Sequence, residues 1–227
     1  MSTPRDGIQR RDFLGTLLAS TTIGLAGLSA PINLAGAQEK PAAMSGSSDF
    51  ETWLGKIKGK HRQVFDSPDP HGGLPLAWAR VFLMTNKMVG VPDDDVSAVI
   101  VLRHDSIPLA MEDKLWKKYN FGKMFGAKDM MTNAILKRNV FWKPKEGSLP
   151  VPGMGVDELL NSGVLIGACD MALTVYSKMT AEKMKLNPDE VKKEWVAGVF
   201  PGIQLVPSGV LAINRAQEHG CTYCYAG

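Results

Sequence analysis

The sequence has few of the features that would place it in a specialised class of proteins. It contains three cysteines in 227 residues, a number that excludes a framework of several disulfides. Aromatic residues make up 7% of the chain. Its formal net charge is +3, from 26 basic and 23 acidic residues, so composition gives no electrostatic reason to expect nucleic acid or a membrane surface as a partner. Beyond residues 16–34, no stretch is apolar and long enough to span a bilayer. The composition predicts one globular domain.

Several motifs that bind cofactors are also absent. There is no P-loop and no Ser-His-Asp hydrolase elbow. Gly153-Met154-Gly155 is not a dinucleotide fingerprint, because no strand precedes it and the third glycine is missing. No histidine follows Cys224, which excludes the c-type haem attachment pattern. The leading interpretation therefore includes no cofactor and no metal ligands.

The N-terminus has the three-part layout of an export signal. Arg10 and Arg11 form a twin-arginine pair, an uncharged stretch covers residues 16–34, and a small-x-small site ends at Ala37. This predicts a twin-arginine signal peptide over residues 1–37 that is cleaved after Ala37, and a periplasmic protein without stable membrane insertion after cleavage. The alternative is that the segment stays on the chain as a membrane anchor.

The remainder predicts a flexible linker over residues 38–48 and an α/β domain over residues 49–227. Apolar runs alternate with segments of helical periodicity. That alternation predicts a three-layer α/β/α sandwich around a mostly parallel sheet of about five strands. We expect strands at 61–66, 96–102, 163–169, 202–207 and 221–226, and helices at 49–60, 74–89, 107–119, 129–136, 156–161, 170–186, 188–195 and 210–219.

Cys169 is the first candidate for a reactive side chain. It ends the predicted strand at 163–169, and the helix at 170–186 starts immediately after it. Ligands and chemistry gather at the carboxyl ends of strands in open α/β sheets. The positive end of a helix also favours the thiolate. The sequence therefore predicts a nucleophilic thiol, the alternative being a small apolar residue that fills a strand end.

Arg103 and His104 follow the predicted central strand at 96–102. Because parallel strands end at the same edge of a sheet, we expect both side chains on the edge that carries Cys169. His104 could act as general base or ion-pair partner for the thiol, and Arg103 could hold an anionic sulfur species. The alternatives are a histidine that anchors a loop and an arginine in a surface ion pair.

The other two thiols, Cys221 and Cys224, form a C-x-x-C pair near the C-terminus. In redox enzymes this spacing stands at the start of a helix, but here it follows the end of one, so a thioredoxin-like function is not favoured. A structural disulfide, a metal pair and two separate thiols all remain open.

Three stretches carry a resemblance to a known family. They are VIVLRHDSIPLAMEDKLWKKYNFG (Val99 to Gly122), DELLNSGVLIGACDMAL (Asp157 to Leu173) and LVPSGVLAINRAQEHGCTY (Leu205 to Tyr223). In these the chain resembles the DsrE/DsrF-like sulfur-relay proteins, in their exported, twin-arginine-signal branch. The resemblance implies a small three-layer domain that assembles as a homotrimer or homohexamer, with Cys169 at the position of a cysteine that carries sulfane sulfur as a persulfide.

The hypothesis that follows is a sulfurtransferase or sulfur carrier that uses Cys169 and His104, with Arg103 and Trp116 as substrate-binding residues. Its partners would be a sulfur donor or acceptor protein, or a small sulfur species. A second hypothesis is a non-enzymatic oligomeric protein that binds a small ligand or metal in the same strand-end cleft, lined by His104, Trp116 and Trp142.

Overall fold

The structure, a computed structural model, describes residues 47–227. The signal peptide predicted at 1–37 and most of the linker predicted at 38–48 lie outside the described residues. The first described helix, α1, begins at Ser47, two residues before the predicted start of the domain at Asp49.

The centre of the fold is a sheet of five parallel strands in the order β4-β3-β2-β1-β5. Helices cover both faces of this sheet, which confirms the three-layer α/β/α sandwich with about five strands. The strands are β1 (His61–Ser67), β2 (Val96–Leu102), β3 (Leu165–Cys169), β4 (Gln204–Val206) and β5 (Thr222–Tyr225).

The helices are divided unequally between the two faces. Side chains of α1 and α8 pack on one face, and those of α2 to α7 pack on the other. Within residues 47–227, no helix combines the length and the apolarity that a membrane span requires. The α-helices are α1 (Ser47–Leu54), α2 (Leu74–Met88), α3 (Asp113–Tyr119), α4 (Phe121–Met124), α5 (Val156–Asn161), α6 (Asp170–Met184), α7 (Pro188–Ala197) and α8 (Gly209–Glu218), and 3-10 turns occupy His71–Gly73, Asp93–Asp95 and His104–Ala110.

Strand β2 shows why the sequence forms a sheet that is covered on both faces. Its side chains alternate between the layers: Val99 and Val101 pack towards α1 and α8, whereas Ile100 and Leu102 pack towards the larger layer. All four side chains are fully buried. A continuous run of branched apolar residues is typical of such a central parallel strand.

The register of the strands brings their carboxyl ends to one edge of the sheet. Ser67 at the end of β1 pairs with Leu102, Leu102 pairs with Ala168, and Cys169 pairs with Val206. The residues that follow β2 therefore lie beside the end of β3, as the sequence predicts for Arg103, His104 and Cys169.

Three predicted helices differ from the structure. The helix predicted at 49–60 corresponds to α1, which ends six residues earlier, at Leu54. The segment 107–119 is not one helix: a 3-10 turn (His104–Ala110) and α3 are separated by the extended residue Met111, which forms a β-bridge with Val199. The helix predicted at 129–136 is wrong, because the Asp129 carboxylate accepts hydrogen bonds from the backbone of Met131 and Thr132 and holds a turn instead.

Candidate functional site

The Cys169 thiol lies where two helices begin. Cys169 is the N-cap residue of α6, and its Sγ accepts a hydrogen bond from the Ala172 backbone N–H at 3.3 Å. The backbone N–H groups of Gly209, the first residue of α8, and of Met171 also interact with this sulfur. A negative charge on Sγ would therefore meet the positive ends of two helices.

Gly209 allows the start of α8 to approach the sheet edge closely. A Cβ atom at this position would lie 2.5 Å from the Cβ of Arg103. Ser208 caps the same helix, since its side chain accepts a hydrogen bond from the Leu211 N–H at 3.2 Å. Cap and glycine together fix the Gly209 amide next to the Cys169 sulfur.

The environment of Cys169 contains opposing effects on the thiol. Only 6% of the residue is exposed, and this burial raises the pKa of the Cys169 thiol above its usual range. The hydrogen bonds from Ala172, Gly209 and Met171 lower that pKa, and the nearby Asp170 carboxylate adds a smaller increase. Burial prevails, so the thiol is protonated at neutral pH and any reaction at it must include removal of a proton.

Arg103 lies at this edge, but a buried carboxylate holds it. Its Nε and Nη2 donate to the two oxygens of Asp66 at 2.6 and 2.9 Å, and the Tyr223 hydroxyl donates to the same carboxylate at 2.8 Å. The hydrogen bond to Asp66 raises the pKa of Arg103, and Cys169 raises it further when it is a thiolate. Arg103 is therefore a fixed cation beside the thiol. Asp66 was not among the predicted site residues, although it ends the first predicted strand and so lies at the same edge.

His104 belongs to a group that sequence analysis identified only in part. Its Nδ1 is 3.3 Å from Oδ1 of Asp105, and the same oxygen accepts a hydrogen bond of 2.6 Å from the Tyr176 hydroxyl. The rings of His104 and Tyr176 meet edge to face, with 5.8 Å between their centroids. His104 has a φ of 52°, a left-handed conformation that is uncommon for residues other than glycine. Asp105 and Tyr176 were not predicted, although Tyr176 follows Cys169 by two helical turns.

Lys192 neutralises the carboxylate next to Cys169. From α7, its Nζ contacts the carboxylate of Asp170 and donates to the Thr174 hydroxyl at 2.8 Å and to the Asp170 carbonyl at 3.1 Å. The negative charge that follows Cys169 in the sequence is thus paired with a cation from a neighbouring helix.

Trp116 is not at this edge. It is 1% exposed, its indole N–H donates to the Pro108 carbonyl at 3.0 Å, and its ring packs against Phe121. The structure therefore corrects its placement from a substrate-binding position to the aromatic core, because the apolar face of α3 points inward. Trp142 is elsewhere again, stacked on Phe200 with 4.0 Å between ring centroids.

Trp142 and Phe200 line a groove of about 460 Å³ together with acidic residues that include Glu112 and Asp113. Neither His104 nor Cys169 lines this groove. The cleft expected from His104, Trp116 and Trp142 is consequently not formed by these three side chains.

Cys221 and Cys224 are free thiols on opposite faces of the sheet. Cys221 packs with the layer of α1 and α8, whereas Cys224 packs against the larger layer. Of the alternatives that the sequence left open, the structure contains two separate thiols. Among residues 47–227, no three side chains of His, Cys, Asp or Glu are grouped so that they could hold a metal ion.

Comparisons with known proteins give little information about this chain. No family model matches it, and no curated protein matches it in sequence. Among solved structures, it is similar to MTH1491, a protein of unknown function from Methanobacterium thermoautotrophicum, with 19% identity over 73% of this chain and 98% of that chain. The TM-score is 0.33, which is too low to support a conclusion about function.

Proposed function

We propose that this chain is an exported DsrE/DsrF-like protein that binds or transfers sulfane sulfur as a persulfide on Cys169. The observation that carries the proposal is the position of the Cys169 sulfur at the start of α6, with backbone N–H groups of Ala172, Gly209 and Met171 directed at it. These donors favour an anion on or next to Sγ.

The reaction that fits this site is attack by the Cys169 sulfur on a terminal sulfur of an inorganic polysulfide. A new S–S bond forms at Cys169, one S–S bond of the polysulfide breaks, and the shortened chain leaves with the electron pair and takes up the thiol proton. The products are a cysteine persulfide anion and a hydropolysulfide. Handing the outer sulfur to an acceptor thiol then restores Cys169.

Access to the sulfur favours a small donor. With 6% of Cys169 exposed, a short inorganic chain can approach more easily than a cysteine on a folded partner. The fixed cation of Arg103 lies beside the thiol and would attract an anionic donor, while His104 would accept the thiol proton.

The proposal includes three properties that rest on the sequence. They are export by the twin-arginine route, cleavage after Ala37, and assembly as a homotrimer or homohexamer, which the family resemblance implies. The mass of the protein recovered from the periplasm and its molar mass in solution by light scattering test them.

The direct experiment is the intact mass of the purified protein after incubation with polysulfide. We expect the wild type to gain sulfur that a reductant removes, Cys169→Ala to gain none at that position, and Cys221→Ala to behave as the wild type. Cys221 is a matched control because it is also 6% exposed. No gain in the wild type, or an equal gain in Cys169→Ala, would reject the proposal.

A second candidate function is non-enzymatic binding of a small ligand. The groove of about 460 Å³ beside Trp142 and Phe200 favours it, since this volume is in the range of small-molecule sites. Failure of sulfur uptake would turn attention to this groove.

A further inference from the structure

The Cys169 thiol needs a proton acceptor, because its burial keeps it neutral. The histidine at the same edge, His104, is constrained in three ways. Its backbone is left-handed, its ring packs against Tyr176, and its Nδ1 faces Asp105. Unfavourable backbone conformations persist where the surroundings enforce them, and they cluster at functional sites.

We propose that Asp105 and Tyr176 are positioning residues that hold His104 with its Nδ1–H towards the Asp105 carboxylate, so that Nε2 carries the lone pair that accepts the Cys169 proton. This inference rests on the proposed function and adds two residues to it. The hydrogen bond at one ring nitrogen of a histidine decides which tautomer is present.

The contacts of Asp105 support this assignment. Its Oδ1 accepts the Tyr176 hydroxyl at 2.6 Å and lies 3.3 Å from Nδ1 of His104. The backbone N–H of Asp105 donates to the Pro68 carbonyl at 2.9 Å, which ties the residue to the loop after β1. A carboxylate that is fixed at its backbone and at its side chain can fix the imidazole in turn.

Tyr176 connects this group to Cys169. It lies two turns along α6 from the cysteine, on the same side of the helix. Burial raises the pKa of the Tyr176 hydroxyl most, and the negative charge of Asp105 raises it further. A thiolate at Cys169 adds a smaller increase. Tyr176 therefore remains a hydrogen-bond donor to Asp105 throughout the working pH range.

The charged and titratable groups around this site come from several elements. Four of them act directly on Cys169 or on His104: Arg103 and Asp105 after β2, and Asp170 and Tyr176 on α6. Three more act through a partner. Asp66 on β1 binds Arg103, Tyr223 on β5 donates to Asp66, and Lys192 on α7 pairs with Asp170. In the proposed reaction, the proton moves from Cys169 Sγ to His104 Nε2 and then to the departing polysulfide. The overall reaction stays balanced, since the histidine returns to its starting state.

The first test is independent of sulfur chemistry. Nitrogen-15 spectra of the imidazole rings, with His104→Gln to assign the signals, should show a proton on Nδ1 of His104 and none on Nε2. Asp105→Asn should shift His104 to a mixture of tautomers, and Tyr176→Phe should shift it in the same direction. Tyr119→Phe is the matched control, because its hydroxyl donates to Glu194 in a different cluster.

An Nε2–H tautomer in the wild type, or identical spectra for wild type and Asp105→Asn, would overturn the inference. Because this measurement needs no polysulfide, it decides the matter even if the protein takes up no sulfur, in which case the proposed function alone fails.

The second test is the rate of sulfur uptake as a function of pH. At about pH 7 we expect Asp105→Asn to react roughly tenfold to a hundredfold more slowly than the wild type, the range of general-base effects. The difference should narrow as the pH rises, because hydroxide then removes an increasing share of the thiol protons. A constant difference at every pH would indicate a merely structural role for Asp105 and would contradict the proposal.

Discussion

Cys169 and Cys221 are equally exposed, yet the peptide groups next to them are oriented differently. Each residue is 6% exposed. Cys169 precedes a helix and faces backbone N–H groups, whereas Cys221 follows the end of α8, where carbonyl groups point outward. Burial raises the pKa of the Cys221 thiol to about 11, and only the charge of Arg62 opposes it. The exposed fraction therefore does not distinguish the candidate reactive thiol, Cys169, from the packing residue, Cys221. The orientation of the nearby peptide groups does distinguish them.

The largest effect on the difference between the two cysteines is expected when the N-terminus of α8 is moved away from Cys169. In Gly209→Ala, the new Cβ would lie 2.5 Å from the Cβ of Arg103, so the start of α8 must move away and its N–H leaves the sulfur. We expect sulfur uptake to slow by about tenfold, as for loss of one donor that stabilises an anion, and the free energy of unfolding to fall by about 1–3 kcal/mol.

The control for this variant is Gly55→Ala, where the added Cβ meets only ordinary contacts at 3.5 Å. Stopped-flow uptake and urea unfolding of both variants make the comparison. Unchanged uptake in Gly209→Ala would show that the α8 N-terminus does not act on Cys169.

Alkaline unfolding tests the other cysteine. The folded-state pKa of Cys221, about 11, is above its ordinary value of 9.0, so its neutral thiol stabilises the fold fully below about pH 9. That contribution, up to roughly 3 kcal/mol for the difference between 9.0 and about 11, is lost as the pH rises through about 11. The difference in unfolding free energy between wild type and Cys221→Ala should therefore shrink over this interval.

Urea unfolding at several pH values between about 8 and 11 measures this difference. Cys224→Ala is the reference for a smaller change in the same direction, because Cys224 is only half-buried and burial raises the pKa of its thiol as well. A difference between wild type and Cys221→Ala that stays constant with pH would contradict the assigned environment of Cys221.

The smallest effect is expected from the charge next to Cys169. Lys192→Gln leaves the Asp170 carboxylate without its cation, and an unpaired negative charge disfavours the thiolate. We expect sulfur uptake to slow by about two- to threefold, since the carboxylate is partly solvated. Lys193→Gln, one residue further along α7 and exposed, should have no effect, and equal slowing in both variants would point to a general effect of charge.

The local part of the site could be predicted from the sequence. The apolar run of β3 and the helical pattern after it located Cys169 at a strand-to-helix junction, and β3 ends at Cys169 with α6 starting at Asp170. The run of β2 likewise placed Arg103 and His104 at the same edge. These features depend on periodicity within one element, which the sequence carries directly.

The partners of these residues could not be predicted in the same way. Asp66 is 37 residues from Arg103 and 157 from Tyr223, and Asp105 is 71 from Tyr176. Such contacts depend on strand order and register, which periodicity does not contain. Trp116 is the opposite case, a residue that was predicted at the site but lies in the core. A tryptophan at helical spacing can face either the core or a cleft, and only packing decides between them.

The most direct test of the account compares the two buried cysteines within one molecule. After brief treatment of the native protein with polysulfide, mass spectrometry of peptides gives the persulfide occupancy of each cysteine, with the unfolded protein as reference. We predict occupancy at Cys169 at least about tenfold above that at Cys221, in line with the effect of fixed donors on an anion, and similar occupancies once the protein is unfolded. Equal occupancy in the native protein, or occupancy at Cys221 alone, would contradict the central claim that the helix N-termini make Cys169 the sulfur-binding thiol.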